Sequence, residues 1–266
     1  MRIIRFLDDE NREHYGLESK GESAEVLQGD LYAGLSPSGT TAPIAKLLAP
    51  IEPVNIYCIG LNYREHAAES GMDEPKLPIV FAKPTSALCH PEDSIRLPAC
   101  QQDEEVDYEC ELAAIIGSPV RDVAVEDALD SVLGYTCAND VSARKWQLNA
   151  GGGQWIRGKG FDTFCPLGPV LVTADEIADP QNLNIKTILN GQTVQDHTTG
   201  DMIFSVAEII SFLSQDTTLL AGTVILTGTP QGVGFARQPP VWLKSGDEVT
   251  IELEGIGQLN NSVVAP

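Results

Sequence analysis

Basic residues are scarce in this sequence. The 266 residues include 17 Lys and Arg against 38 Asp and Glu, which gives a formal net charge of −21 at pH 7. Phosphate backbones and anionic membrane surfaces attract proteins through basic patches, so this charge argues against a nucleic-acid or a membrane partner. A small anionic substrate would have to be held by a few local cations.

Long apolar runs and paired cysteines are also absent. No window approaches the about 18 consecutive apolar residues of a membrane helix, and the opening "MRIIRFLDDENREH" lacks the apolar core of a signal peptide. The six cysteines contain no CxxC pair, which argues against a zinc knot and a disulfide framework. We therefore expect a cytoplasmic globular protein with reduced cysteines.

Most segments have the pattern of strands, for example "VNIYCIG", "PIVFAK", "CELAAIIG" and "TVILTG". Helical periodicity is confined to short stretches, such as a run that begins at Ser205 with Glu208 placed for a capping box, and "VEDALDSVLG", which Gly134 would close. These patterns predict an α+β, mainly β fold with a few short helices. Residues 1–50 end in the loop-like "SPSGTTAP" and predict a small N-terminal β-rich domain, ahead of a larger domain over residues 51–266.

The stretch "DEEVDYECELAAIIG" carries acids into a strand-like run. Strand side chains alternate, so Asp107, Glu109 and Glu111 share one face. One interpretation is a half-exposed strand with its acids in water, and the alternation alone favours it. Residues 112–116 are apolar on both faces, however, which indicates a buried strand whose carboxylates need a partner. On that interpretation Glu109 and Glu111 are two ligands of a divalent cation.

A third acid, Asp140, ends a strand-like run in "GYTCANDVSARKWQ" and precedes a short helical run. It is a candidate metal ligand and also a candidate helix N-cap, with Asn139 and Ser142 as competitors for the capping role. Capping is the more common role for such a residue. Three carboxylates with no nearby histidine or cysteine would form a hard-oxygen site, which suits Mg²⁺ or Mn²⁺ better than Zn²⁺.

A few cations lie in the same neighbourhoods. Lys83 follows "PIVFA", Lys159 lies in "RGKGFDTFCPLGP", and Arg144 and Gln147 lie four and seven residues beyond Asp140 on one helical face. Most lysines and arginines are solvated surface charges, but these are embedded in apolar or glycine-rich sequence. We interpret them as candidates to hold a substrate carboxylate.

One of the four histidines lies in an informative context. In "GLNYREHAAE", His66 lies one helical turn before Glu69, which could orient or ionise the imidazole for work as a general base. An exposed His/Glu pair on a helix is common, so the pair alone does not define a site.

Six segments, in order, resemble the motifs of the fumarylacetoacetate hydrolase superfamily. They are "YCIGLNYREHAAE", "PIVFAKPTSAL", "DYECELAAIIG", "GYTCANDVSARKWQ", "KGFDTFCPLGP" and "ILTGTPQGVG". They span roughly residues 51–235, and "PPVWLKSGDEVTIELEGIG" extends the similarity nearly to the end. The phrases "VSARKWQ", "KGFDTFCPLGP" and "PPVWLKSGDEV" look most like the subgroup called fumarylacetoacetate hydrolase domain-containing protein 2.

This resemblance implies a mixed β-sandwich roll, a homodimer and a site built on Mg²⁺ or Mn²⁺. The metal ligands would be Glu109, Glu111 and Asp140, the catalytic residues His66, Glu69 and Lys159, and the substrate-binding residues Arg64, Lys83, Arg144, Gln147 and Thr229. In the family pattern, His66 and Glu69 lie on a lid, and Thr229 contacts the substrate carboxylate or the outer shell of the metal. Lys145 stands where the motif commonly has an aspartate, which puts the substrate preference in question.

The resemblance also implies chemistry on 2-oxo acids and 1,3-dicarbonyl compounds through a metal-stabilised enolate. The first hypothesis is C–C bond cleavage of a small anionic 2-oxo acid, by acylpyruvate hydrolysis or oxaloacetate decarboxylation. Keto–enol tautomerisation of oxaloacetate is the second, and isomerisation or hydration of aromatic-degradation intermediates is the third. A non-catalytic, metal-stabilised binding protein that has kept the fold is a further alternative.

Overall fold

The computed structural model of the chain describes residues 1–101, 104–150 and 153–266. Its strands are β1 (Arg2–Leu7), β2 (Glu13–Leu17), β3 (Ser23–Asp30), β4 (Gly34–Pro43), β5 (Lys46–Leu48), β6 (Asn55–Gly60), β7 (Ile79–Lys83), β8 (Leu88–Cys89), β9 (Ile95–Arg96), β10 (Val106–Asp107), β11 (Cys110–Ile116), β12 (Val132–Asn139), β13 (Ser142–Ala143), β14 (Cys165–Thr173), β15 (Asn184–Leu189), β16 (Gln192–Thr198), β17 (Thr223–Leu226), β18 (Glu248–Leu253) and β19 (Gly257–Val264). Its α-helices are α1 (Arg64–Glu69), α2 (Arg144–Leu148), α3 (Trp155–Lys159) and α4 (Val206–Ser214). Short 3₁₀ helices cover Thr85–Ala87, Val125–Ser131, Ala174–Glu176, Thr199–Asp201 and Gly234–Ala236.

The strands form two main sheets. In the described residues the larger sheet has the order β4-β3-β2-β1-β14-β12-β11-β17-β6-β7, while β5 pairs with β1 and β8 pairs with β14. The smaller sheet has the order β16-β15-β18-β19-β9, and β10 forms a short ribbon with β13. This architecture confirms the predicted mainly β fold with a few short helices.

Apolar side chains fill the space between the two sheets. Leu112 and Ala114 of β11 belong to the same buried cluster as Ile185 of β15. The opposite face of β11, with Ala113 and Ile115, belongs to a second buried cluster that includes side chains of β17 and β6. The strand is therefore buried on both faces, as its apolar run indicates, and the acids that precede the run are carried into the interior with it.

Helix α4 begins as the sequence predicts. The Ser205 side chain accepts a hydrogen bond from the backbone of Glu208, and the Glu208 carboxylate accepts one from the backbone of Ser205, which completes a capping box. The helix buries Val206, Ile209 and Ile210. No helix among the described residues has the length and apolar character needed to cross a bilayer.

The segment "SPSGTTAP" is not the loop that its composition predicts. It lies within β4, which pairs with β3 at one end of the larger sheet. A polar strand that contains prolines suits an edge position, because one side of its backbone has no partner strand to satisfy.

Gly134 does not end a helix, which corrects a second prediction. The 3₁₀ helix Val125–Ser131 stops three residues earlier, and Gly134 lies inside β12. A Cβ at this position would lie 2.2 Å from the carbonyl oxygen of Val172 on the neighbouring strand β14. The glycine therefore permits close approach of two backbones in the sheet.

The first 50 residues continue the larger sheet. Strands β1 to β5 all come from this segment, and β1 pairs with β14 through Arg2↔Val172 and Ile3↔Leu171. The division into domains over residues 1–50 and 51–266 stays a prediction.

Candidate active site

Three buried carboxylates meet at one end of β11. The antiparallel register pairs Cys110 of β11 with Asn139 of β12, which brings Glu109 and Glu111 next to Asp140. One oxygen from each of the three carboxylates lies within 4.8 Å of the others, and all three residues are buried. Charges this close repel one another in the interior, so the arrangement needs positive charge nearby.

Lys159 supplies part of that charge. Its side chain is buried, and Nζ donates to Glu109 at 2.8 Å, to Asp140 at 2.6 Å and to the Ser142 hydroxyl at 2.7 Å. An ammonium group has three protons, so the protein itself accepts all of them. Lys159 therefore holds the acids by charge and has no proton left for a substrate.

Two further buried cations complete the ion-pair cluster. Lys83 Nζ lies 2.6 Å from Asp140 Oδ1 and donates to three backbone carbonyls. Arg144 Nη1 lies 2.6 Å from Glu109, and Arg144 Nε donates to Asp107 at 2.9 Å. Lys83 donates to protein groups, and Arg144 contacts two of the acids, so both side chains position the acids. Among the described residues Arg144 Nη2 lies 2.8 Å from Asp107 Oδ2 but makes no well-aligned hydrogen bond.

With every acid ionised, the cluster would carry one uncompensated negative charge. It contains four carboxylates and three cations: Asp107, Glu109, Glu111 and Asp140, with Lys83, Arg144 and Lys159. Glu111 has no cation within ion-pair distance among the described residues, and burial, with Asp140 and Glu109 nearby, raises the pKa of Glu111 well above its usual range. Burial also disfavours charge on Glu109, but Lys159 and Arg144 outweigh it and lower the pKa of Glu109 to about 2.

A divalent cation fits this position. Its ligands would be Glu109, Glu111 and Asp140, which offer oxygen atoms only and so suit Mg²⁺ or Mn²⁺. Two positive charges would outweigh the remaining negative charge of the cluster and favour the ionised form of Glu111. The floor of the site would then attract an anion.

The glycine-rich loop after β17 holds acids from three separate segments. Three of its backbone N–H groups donate to carboxylates: Gly228 to Glu111 at 2.6 Å, Gly232 to Glu69 at 3.1 Å and Gly234 to Asp107 at 2.7 Å. A Cβ at Gly234 would lie 2.5 Å from Asp107 Oδ1 and 1.9 Å from the Val241 carbonyl oxygen. The absence of a side chain at this position therefore lets the backbone reach the acid.

His66 and Glu69 form a pair on α1. His66 Nδ1 lies 3.3 Å from Glu69 Oε2, and the imidazole is 9% exposed. The imidazole and the ring of Phe235 are nearly perpendicular, with 6.4 Å between the centroids. Because Glu69 occupies Nδ1, Nε2 is the ring nitrogen left to exchange a proton with a ligand.

One cavity, of about 110 Å³, brings these groups together. The predicted site residues that line it are His66, Glu109, Glu111, Arg144, Gln147, Lys159 and Thr229. Glu69, Lys83 and Asp140 contact the ion-pair cluster or His66 without lining the cavity. Arg64 donates to the backbone carbonyls of Asp201 and Met202, outside the lining of the cavity.

None of the candidate capping residues before α2 caps it. The N-cap position is occupied by Ala143, with no side-chain cap. Asp140 instead directs its carboxylate to Lys159 and Lys83. The capping interpretation of Asp140 is therefore wrong.

Three residues of the site go beyond those that the sequence pattern identifies as candidates. Asp107 anchors Arg144, Phe235 lies 4.5 Å from the Arg144 guanidinium, and Gln195 donates to Thr229 at 2.9 Å. Asp107 shares the alternation of the two glutamates, which is a signal that could have found it. For Gln195 the sequence offers no local signal, because its contacts are distant in the chain.

Comparison with known proteins identifies the relatives of the chain. A family model described as Fumarylacetoacetate (FAA) hydrolase C-terminal matches residues 55–264, and one described as Rv2993c-like, N-terminal matches residues 1–50. The fumarylacetoacetate hydrolase domain-containing protein 2 homolog of Dictyostelium discoideum is 52% identical over 227 residues, covering 82% of this chain and 74% of that protein. The Homo sapiens protein named oxaloacetate tautomerase FAHD2A, mitochondrial, is 49% identical over 218 residues, covering 82% of this chain and 69% of its own. Because this relative is named as mitochondrial, the cytoplasmic location stays a prediction, as does the homodimer.

Solved structures share the fold along the whole chain. The 5-carboxymethyl-2-hydroxymuconate delta-isomerase of Mycobacterium smegmatis superposes with a TM-score of 0.86 at 38% identity and full coverage of both chains. The fumarylacetoacetate hydrolase of Exiguobacterium antarcticum superposes with a TM-score of 0.87 at 36% identity, again over 100% of both chains. Sequence and fold together show that the chain belongs to the fumarylacetoacetate hydrolase superfamily, with the likeness to the domain-containing protein 2 subgroup that its motifs predict.

Proposed function

We propose that this protein is a divalent-cation-dependent tautomerase that interconverts the keto and enol forms of a small 2-oxo dicarboxylate, with oxaloacetate as the first candidate. One observation carries the proposal: His66, paired with Glu69, lines the same small cavity as Glu109 and Glu111 of the acid cluster. Relatives that are 49–50% identical and are named oxaloacetate tautomerase support the choice of substrate.

The chemistry needs one base and one site for negative charge. A bound Mg²⁺ or Mn²⁺ would stabilise the charge that develops on the keto oxygen. His66 removes a proton from the carbon between the keto group and the second carboxylate, while Glu69 stabilises the imidazolium that forms. The same imidazolium delivers the proton to the keto oxygen, which gives the enol and restores the base.

Neutral donors are available to orient the substrate. Gln147 Oε1 accepts from Arg144 Nη1 at 3.0 Å, so the amide nitrogen of Gln147 is the end left for a ligand. Arg144 also contacts Asp107 and Glu109, and we assign it to positioning these groups. Gln147 and Thr229 are the side chains that we assign to the substrate carboxylates.

Tautomerisation requires fewer positioned groups in this site than hydrolysis does. Hydrolytic C–C cleavage needs a water held against the distal carbonyl in addition to the base, whereas tautomerisation moves a proton only. The isomerase among the solved relatives supports proton transfer as a reaction of this fold. C–C cleavage, the first hypothesis from the sequence, stays a prediction, and the assay on oxaloacetate tests its decarboxylation branch.

Two readouts on one reaction mixture separate these activities. Enol oxaloacetate is diluted into buffer, and the loss of its ultraviolet absorbance is followed with Mg²⁺ or with EDTA, against a metal-only background, while pyruvate is measured in parallel. Faster loss of the enol with little pyruvate supports the tautomerase. Pyruvate released at the same rate indicates decarboxylation, and no effect on either readout favours the non-catalytic alternative.

A further inference from the structure

The carboxamide of Gln195 is buried between the smaller sheet and the site. Gln195 belongs to β16 and is 1% exposed. Its Oε1 accepts from the backbone N–H of Cys110 at 3.0 Å and from the Thr187 hydroxyl at 2.7 Å. Its Nε2 donates to the Thr229 hydroxyl oxygen at 2.9 Å and to the Pro230 carbonyl at 2.9 Å.

These four bonds allow only one orientation of the amide. A carboxamide accepts two hydrogen bonds and donates two, so Gln195 is fully satisfied. Exchange of its oxygen and nitrogen would set an amide N–H against the Cys110 N–H and an oxygen against the Pro230 carbonyl. The backbone groups on both sides therefore fix the nitrogen toward Thr229.

This fixed amide decides how the Thr229 hydroxyl is used. A hydroxyl has one proton to donate, and the Thr229 oxygen already accepts from Gln195. The Cys110 sulfur interacts with the Thr229 hydroxyl, but a thiol sulfur is a weak acceptor, so a ligand carboxylate would take the Thr229 proton in its place. Thr229 is 4% exposed and lines the cavity of the acid cluster, so a ligand in that cavity can accept the proton.

We propose that Gln195 is a positioning residue that commits the Thr229 hydroxyl to donate to a substrate carboxylate. A carboxylate only accepts hydrogen bonds, so a hydroxyl held as a donor favours it over a ligand group that must donate. The inference rests on the proposed function for the nature of the ligand. It assigns a role in binding to Gln195, which does not line the cavity. Gln195 acts through Thr229 and touches no substrate.

The sharpest variant keeps the acceptor side of Gln195. Gln195→Glu retains the size and the oxygen that Cys110 and Thr187 contact, but it loses the donor, so the Thr229 hydroxyl turns toward the new carboxylate. Gln195→Met has a similar length and no charge, and it controls for repulsion between a carboxylate and the ligand. Thr229→Val removes the hydroxyl and keeps the shape.

Gln181 offers a matched control. Its Oε1 accepts from the Val206 N–H at 2.8 Å, and its Nε2 donates to the Thr199 carbonyl at 3.2 Å. It thus bridges two segments as Gln195 does, but it does not line the cavity or contact Thr229. Gln181→Glu makes the same chemical change outside the site.

The test is a calorimetric titration of L-malate, a stable four-carbon dicarboxylate, into protein saturated with Mg²⁺. Loss of one hydrogen bond to a charged group predicts that Gln195→Glu, Gln195→Met and Thr229→Val each weaken malate binding by about tenfold or more. The Gln195→Met/Thr229→Val double variant should bind no more weakly than Thr229→Val, and Gln181→Glu should stay within about twofold of the parent. Unchanged binding in both Gln195 variants, or fully additive losses in the double variant, overturns the proposal.

Binding needs no turnover, so the two proposals fail in different ways. A parent protein that binds malate without accelerating keto–enol exchange contradicts the proposed function, while the double-variant comparison still decides the role of Gln195. A parent protein that binds neither malate nor oxalate contradicts both.

Discussion

Glu69 holds His66 from one side and is itself held from the other. The Glu69 carboxylate lies 3.3 Å from His66 Nδ1 and accepts the backbone N–H of Gly232 at 3.1 Å. The imidazole is therefore oriented by a carboxylate that the glycine-rich loop fixes in place. A change at His66 should therefore lower the rate of proton transfer more than the affinity for substrate.

His66→Asn should lower kcat for oxaloacetate tautomerisation by about 10²- to 10⁴-fold, the range for loss of a general base. Malate affinity should change little, because the metal ligands and Thr229 remain. The measurement is steady-state kinetics beside a malate titration. His197→Asn is the control, because His197 forms a similar pair with Asp201 at 3.3 Å outside the lining of the cavity. Equal losses in the two variants would contradict the role of His66.

Glu111→Gln should weaken Mg²⁺ binding by at least about tenfold, because one of three oxygen ligands loses its charge. In EDTA the same variant should melt at the parent temperature or above it, because it removes a buried carboxyl that has no cation partner and whose ionisation burial disfavours. Calorimetry with Mg²⁺ and thermal melts in EDTA measure the two effects. Glu126→Gln, on an exposed 3₁₀ helix, should change neither. Parent-like Mg²⁺ affinity in Glu111→Gln would refute the metal site.

Lys159→Met should lower the free energy of unfolding by about 3–5 kcal/mol in EDTA, because it leaves buried carboxylates without their cation. Mg²⁺ should stabilise this variant more than the parent protein, because the metal restores positive charge between Glu109 and Asp140. Denaturant melts with and without Mg²⁺ give both values. Lys186→Met is the control, since Lys186 lies 4.0 Å from Asp196 in a half-exposed pair, and it should cost about 1 kcal/mol or less. A similar cost for both would argue against the ion-pair cluster.

The carboxylate of Asp8, far from the site, should stabilise the folded protein in a way that is lost in acid. Its carboxylate lies 2.9 Å from His14 Nε2 and accepts the backbone N–H groups of Arg12 and Glu10. The hydrogen bond with His14 is the largest influence on the pKa of Asp8. Together these bonds outweigh the effect of burial and hold that pKa well below its usual range. A carboxyl whose pKa is lower in the folded state stabilises the protein above the unfolded value of about 3.9 and loses this effect as the pH falls further.

Asp8→Asn should therefore lower the melting temperature clearly near pH 6 and by less near pH 3. Scanning calorimetry at the two pH values measures the difference between variant and parent. A difference that does not shrink on acidification would show that the charge of Asp8 contributes nothing.

The sequence predicts the fold better than it predicts the environment of the acids. The apolar run of β11 indicates that this strand is buried on both faces. The structure agrees, because Leu112 lies in one buried cluster and Ile115 in the other. The alternation of Glu109 and Glu111 by itself favours acids in water. The pairing of β11 with β12 places Glu109 and Glu111 in the interior beside Asp140. The sequence pattern does not reveal this environment, because strand register is a tertiary property.

The parts of the site that the sequence misses depend on contacts between distant segments. Gln195 reaches Cys110 across 85 residues of chain, and the other positions of its mostly polar strand are exposed or half-exposed. Arg64 shares a motif with His66, yet it donates to carbonyls of another segment, because neighbouring helix residues point in different directions.

If His66 and a bound divalent cation act on one substrate in one cavity, loss of either should abolish the acceleration of keto–enol exchange. The most direct test follows the decay of enol oxaloacetate in a stopped-flow instrument with the parent protein in Mg²⁺, the parent in EDTA, and His66→Asn in Mg²⁺. We expect acceleration in the first mixture alone, with Mg²⁺ binding intact in His66→Asn. Acceleration that persists in EDTA, or in His66→Asn at the parent rate, would contradict it.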